Sequence, residues 1–198
     1  TDKTVGVSLV HVLGFAAVTD EMVKFCEDND LFFIEDCCES HGATYKGTKV
    51  GNFGNVSNFS FYFGHHITTI EGGMVCTNDE KLYDYAKLFR SHGMTREASS
   101  QVQEQYERTR PDLNPLFTFA VPGYNMRNQE LNAVLGLEQL KRLNYNCDKR
   151  RVNFKTWVES LDSDKFFIDF HQNGNSNFAL PLVLKEKDLE LFERCCIL

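Results

Sequence analysis

The chain predicts an α/β fold built on a mostly parallel sheet, and three observations carry that prediction. Residues 5–10, 20–30 and 31–34 read as strand, helix and strand, a βαβ unit, and such units make parallel sheets. The second strand runs directly into Glu35-Asp36, two carboxylates where open α/β sheets bind ligands, beyond the carboxyl ends of the strands. The composition, 42% hydrophobic with 25% charged residues, is that of an ordinary globular domain.

Each element has its own warrant. Residues 5–10 (Val-Gly-Val-Ser-Leu-Val) are short, apolar and β-branched, as a buried strand requires. In residues 20–30, Met22, Phe25 and Cys26 fall at helical spacing behind acidic residues in the first turn. Residues 31–34 form a continuous apolar run. Residues 56–63 and 73–77 read as two further strands, and Asn78 or Asp79 caps a helix reaching Ser91. No clear period appears from 92 to 123, a length of connection that is usually functional or mobile. Leu131, Val134, Leu135, Leu137 and Leu140 mark one long helix over 128–161, residues 178–184 a strand, and residues from 187 onward a helix.

Charge and cysteine usage narrow the function classes. A formal net charge of −7 argues against a nucleic-acid partner, which needs clustered Lys and Arg. The run Lys149-Arg150-Arg151 reads as a solvated helix face. The seven cysteines are odd in number, include the adjacent pairs Cys37-Cys38 and Cys195-Cys196, and contain no CxxC. Reduced thiols of a cytoplasmic protein are the simplest reading. No apolar run approaches the ~18 residues of a membrane span, so no membrane partner is expected. The chain starts without methionine and stops inside a helical segment with no stop signal, and is read as a fragment.

Three stretches carry chemistry, and each is weak alone. Glu35-Asp36-Cys37-Cys38-Glu39 places carboxylates at a strand end, which a solvated, capping Asp also explains. Phe59 to His66 runs from a strand into a turn with two imidazoles, as a surface turn or a core histidine also does. Thr68 to Gly73 joins polar groups to a glycine pair, the composition of many turns.

Their order and spacing resemble the DegT/DnrJ/EryC1/StrS family of sugar aminotransferases, a branch of the aspartate-aminotransferase superfamily. The matching blocks are residues 35–42, 47–54 and 60–73, followed by Gly123-Tyr124-Asn125-Met126-Arg127 and Leu135-Gly136-Leu137-Glu138-Gln139-Leu140. The resemblance implies the fold of the type I pyridoxal-phosphate-dependent transferases. Residues 1–141 would belong to the large cofactor-binding domain, and 142–198 to a connecting helix and the truncated start of a small C-terminal domain. It also implies roles: Asp36 on the cofactor's ring nitrogen, Glu39 at its 3-hydroxyl and Ser60 on its phosphate. Asn125 would reach the cofactor phosphate of the neighbouring subunit in a homodimer with shared sites, and Arg127 the sugar nucleotide. An ionised Asp suits a pyridinium because Coulomb attraction stabilises the cation in a poorly solvated site.

One position departs from the family pattern. Counting from Ser60, the lysine that anchors the cofactor covalently should fall at 65, and His65 stands there. An imidazole cannot form that stable anchor, yet with an ordinary pKa near 6.5 it still moves protons at neutral pH. The family's 3-dehydratases of 4-keto-6-deoxy sugar nucleotides show this combination; they use pyridoxamine phosphate, regenerated from pyridoxal phosphate with glutamate as amino donor. His65 is then the base, and the acid that helps the C3 hydroxyl leave as water; His66 is a structural neighbour. One form of such enzymes carries a [2Fe–2S] cluster on cysteines, and the matching stretch here, residues 90–121, has none, so no iron–sulfur cluster and no metal is expected. Residues 92–97 and 114–127 resemble the metal-free form of these enzymes, which implies a GDP sugar, GDP-4-keto-6-deoxymannose. A sugar aminotransferase would need Lys46 or Lys49 instead, and a non-catalytic relative would bind no cofactor. The piece alone is expected to be poorly active.

Overall fold

In a computed structural model, which describes residues 1–196, β1 (Gly6–Val10) and β2 (Phe32–Asp36) pair in parallel, from Gly6 opposite Phe32 to Val10 opposite Asp36. The connection between them is α1 (Asp20–Asp28), opened by Thr19, whose hydroxyl accepts the Met22 N–H at 3.2 Å. Met22, Val23 and Cys26 of this helix pack with Val18 on Val7, Leu9 and Phe33. Burial of such a side chain contributes about 1.5–3 kcal/mol. The βαβ unit is as the sequence indicates.

After β2 the chain makes a small antiparallel ribbon, β3 (Thr44–Tyr45) with β4 (Thr48–Lys49), and returns as β5 (Val56–Ser60), parallel to β2. β6 (Gly73–Cys76) then pairs antiparallel with β5, so the sheet order is β1-β2-β5-β6 and only its last strand runs backwards. Loop 61–72 therefore closes a β5–β6 hairpin over the carboxyl end of the parallel strands. α2 (Glu80–Arg90) follows, capped by Asp79, whose carboxylate accepts from Lys81 and Leu82 at 2.8 and 2.9 Å.

Residues 92–123 hold more structure than their sequence period suggests: α3 (Ser100–Thr109) and short 3-10 turns at Thr95–Glu97 and Pro115–Phe117. The long helix expected over 128–161 is two, α4 (Glu130–Leu140) and α5 (Leu143–Ser160), broken at Lys141-Arg142. The reason is packing: α5 buries Cys147, Phe154 and Val158, while the apolar residues of α4 stay exposed. Residues 178–184 form no strand. Pro181 removes a backbone donor from the middle of the run, and only an isolated bridge, Leu184 to Phe166, survives. The basic run is solvated at Lys149 but not throughout: Arg150 donates to the carbonyl of Phe178 at 2.8 Å and Arg151 to that of Asn175 at 2.6 Å, pinning segment 175–178. α6 (Leu189–Cys196) ends the described chain. No helix of the described residues is long and apolar enough to cross a membrane.

Candidate active site

Because β1, β2 and β5 run in parallel, their carboxyl ends share one edge, and the sequence places chemistry at each. Asp36 is the last residue of β2 and Ser60 the last of β5, with Asp36 in register with Asn58. The Asp36 Oδ1 accepts the N–H of Cys38 at 3.0 Å, which fixes the carboxylate and leaves Oδ2 unbonded among the described residues. In the next turn Glu39 accepts the N–H of Leu13 through Oε2 at 2.7 Å, tying the end of β1 to the end of β2 and leaving Oε1 available. The Ser60 hydroxyl accepts from the Tyr62 N–H at 3.2 Å and keeps its own proton to donate. Three half-buried groups thus present one free acceptor, a second, and one donor from a single sheet edge.

Glu35, one residue before Asp36, does something different. Fully buried, its carboxylate accepts from the backbone of Phe53 and Gly54 at 2.7 Å each, from Gly51 at 2.8 Å, and from His11 Nε2 at 3.1 Å. Burial alone would push this carboxyl up; the four donors outweigh it and hold the carboxyl below its ordinary value. Gly51 sits at φ +91, the left-handed region that glycine tolerates, and a Cβ there would lie 2.8 Å from the Phe59 ring. The glycine-rich block thus folds around the glutamate of the preceding block. Among the described residues, His11, Glu35 and Cys37 place ligand-type atoms within 4.8 Å of one another. They do not fit a cation: His11 Nδ1 already accepts from Ala17 at 3.0 Å, its Nε2 donates to Glu35, and burial pushes the Cys37 thiol up to about 12.

Beyond Ser60, loop 61–72 carries the histidines. It is held by backbone bonds from Phe61 to Gly72 (2.8 Å) and from Thr69 to Phe61 (2.9 Å), and by Asn132 of α4 donating to Thr69 at 2.7 Å. His65 closes a turn onto the carbonyl of Tyr62, and its half-buried ring stands 5.2 Å from that of Phe178 and 5.9 Å from that of Tyr62. Its Nδ1 is shut away from solvent without a partner among the described residues, which leaves Nε2 as the nitrogen facing out. His66 is buried and donates through Nε2 to the Ser176 carbonyl at 2.5 Å. Burial is the main cause that pushes its pKa down to about 4, so it is neutral near pH 7. His41 completes the cluster, with its ring 5.6 Å from that of His66 and 6.3 Å from that of His65.

The structure therefore brings Asp36, Glu39, Ser60 and His65 to one sheet edge and its capping loop. It does not bring Asn125 or Arg127 into hydrogen-bond contact with them: Asn125 is exposed in an isolated bridge to Ser91, and Arg127 is exposed. Sequence reasoning passed over His41, Phe178 and the structural role of Glu35. Two of these had a signal, since Glu35 opens the first block and His41 stands beside the glycine that closes it; Phe178 had none.

The DegT/DnrJ/EryC1/StrS aminotransferase family model matches residues 1–194. A GDP-4-keto-6-deoxy-D-mannose 3-dehydratase of Yersinia pseudotuberculosis is 36% identical over 187 residues, covering 94% of this chain and 48% of that protein. The Escherichia coli GDP-4-keto-6-deoxy-D-mannose-3-dehydratase, solved with bound hydrated pyridoxal phosphate, superposes with a TM-score of 0.84 at 31% identity, over all of this chain and 52% of that one. A GDP-4-keto-6-deoxymannose-3-dehydratase with a trapped pyridoxal phosphate–glutamate geminal diamine gives a TM-score of 0.84 at 30% identity over 100% and 52%. The chain spans about half the length of the curated relatives it matches.

Proposed function

The chain belongs to the DegT/DnrJ/EryC1/StrS aminotransferase family, and from that membership we propose that the protein removes the C3 hydroxyl of a 4-keto-6-deoxy sugar nucleotide, GDP-4-keto-6-deoxymannose, with pyridoxamine phosphate as cofactor. The observation that carries the reading is His65, an imidazole at the anchoring-lysine position of an otherwise intact cofactor block, with one nitrogen facing out.

The residues present fit the cofactor. The free Oδ2 of Asp36 suits a protonated ring nitrogen, Glu39 Oε1 a ring hydroxyl, and the Ser60 hydroxyl a phosphate oxygen. When bound, pyridoxamine phosphate supplies an amine that condenses with the sugar ketone and a ring that accepts electrons. Asp36 then keeps the proton on the ring nitrogen. His65 would hold and move the proton at Nε2, as base beside the bound cofactor and as the acid that would help the C3 hydroxyl depart as water. Phe178 and Tyr62 flank the imidazole and limit the water beside it. Asn125 is assigned to the cofactor phosphate of a second copy in a homodimer and Arg127 to the nucleotide diphosphate; their exposure leaves both free for such partners. Glutamate is the amino donor that restores the amine form.

The aminotransferase reading is weaker here. Lys46 is exposed and paired with Asp20, and Lys49 is exposed on the β3–β4 ribbon. The test is to give the full-length protein pyridoxamine phosphate, glutamate and GDP-4-keto-6-deoxymannose, and to follow the sugar nucleotide by mass spectrometry. The expected result is a sugar nucleotide lighter by one oxygen atom, because the hydroxyl leaves as water while two hydrogens are supplied by oxidation of the amine cofactor, with ammonia released and glutamate converted to 2-oxoglutarate, all slowed about 100-fold or more in His65→Asn. Gain of an amino group by the sugar would overturn the proposal.

A further inference from the structure

His41 is 4% exposed; one ring nitrogen faces the Ser60 backbone carbonyl short of full hydrogen-bond geometry, and the other has no partner among the described residues. An unpaired buried polar group is destabilising, and an apolar side chain at this position would avoid that. His65 Nδ1, in the neighbouring ring, is buried and unpaired in the same way. The two ring centroids are 6.3 Å apart with 39° between the planes. A direct N–H···N bond would set them about 5 Å apart, and one bridging water spans the difference. The backbone of His41 is firmly held: its carbonyl accepts from Cys147 at 3.2 Å and from the Ser176 hydroxyl, and its ring stands 5.6 Å from that of Phe59 and 5.9 Å from that of Phe61.

We propose that His41 is a positioning residue for His65, accepting a hydrogen bond from His65 Nδ1–H through one water and so holding His65 in the tautomer whose Nε2 lone pair faces the reacting atoms. When His65 takes a proton at Nε2, the same bond becomes charge-assisted and stabilises the imidazolium. The proton stays on His65 because burial, then His66 and His65 itself, push the pKa of His41 down to about 4. The titratable and charged groups around His41 are His65 and His66 on loop 61–72, Arg150 of α5 behind His66, Cys147 of α5 at its carbonyl, and Glu39 two residues before it.

The proposal rests on His65 as the proton-moving group, and its test begins without cofactor. Long-range 1H–15N spectra of the imidazoles in the cofactor-free, full-length protein are expected to show neutral His65 protonated at Nδ1, the minor tautomer of free histidine. His41→Leu should return His65 to the Nε2–H form, and His41→Gln, which keeps an acceptor, should preserve Nδ1–H. With cofactor and sugar nucleotide, His41→Leu should lose at least about tenfold in kcat at unchanged KM, with recovery in His41→Gln. An Nε2–H tautomer in the wild type, or Nδ1–H persisting in His41→Leu, overturns the proposal. If His41→Leu does not fold, the wild-type and His41→Gln spectra decide alone. A protein that fails to dehydrate sugars yet shows the predicted tautomers would sink the function and leave this pairing standing.

Discussion

Adjacent residues here carry unlike duties. Glu35 is buried with every acceptor site filled, and Asp36 beside it keeps an oxygen free. Removing the Glu35 charge should cost about 2–4 kcal/mol, because hydrogen bonds to charged groups are the stronger kind; urea unfolding of Glu35→Gln measures it. The pH dependence has a definite sign. The folded Glu35 pKa lies below its ordinary value, so its contribution is present above about pH 4.5 and fades as pH falls further; Glu35→Gln should flatten that acid limb. His66 acts in a higher window. Unfolded, it binds a proton below about pH 6.5, whereas folded it stays neutral down to about 4, so stability should fall between those values. The urea midpoint should drop from pH 7 to pH 5, and drop less in His66→Gln. That Asp36, Glu39, Ser60 and His65 come to one sheet edge and its loop was legible from block order and spacing; the surroundings of His41 were not, because pairing is a property of three dimensions.

At the scale of elements, segment 175–178 is the least readable part and among the most used. It meets the turn after β1, where Ser176 and Phe178 donate backbone bonds to Gly14 and Leu13 at 2.9 Å each, and it supplies the Phe178 ring against His65. Gly14 sits at φ +83 with the Ser176 carbonyl 2.2 Å from where a Cβ would stand. Gly14→Ala should therefore lower kcat as well as stability, by at least about 2 kcal/mol in unfolding. Arg151→Ala should speed amide exchange at Ser176 and Phe178 while β1 and β2 remain protected. β1, β2, β5, β6 and α1 were legible because apolar period and capping agree there. α3 was missed because Gln101, Gln103, Glu104, Gln105, Glu107 and Arg108 leave it no apolar stripe. The break between α4 and α5 was missed because neither Gly nor Pro marks Lys141-Arg142.

For the molecule as a whole, the unusual quantity is apolar exposure. Leu131, Val134 and Leu137 of α4 are 74%, 61% and 63% exposed, with Phe63, Ile70 and Met126 also open. Exposed apolar surface of this kind adsorbs apolar ligands, so the 198-residue chain should bind a hydrophobic dye strongly. Leu131→Ser with Leu137→Ser should reduce that binding without lowering the melting temperature, because neither residue is buried in the chain. Strand alternation gives the Glu35-Asp36 pair a last consequence. Successive residues of β2 point to opposite faces of the sheet, so a slip drawn by one residue lost before β2 would set Asp36 among the backbone amides in the place of Glu35 and put Cys37 where Asp36 stood. The parity of a single strand thereby protects the chemistry: a one-residue deletion between α1 and β2 should be far more damaging to activity than a one-residue deletion in the α3–α4 connection.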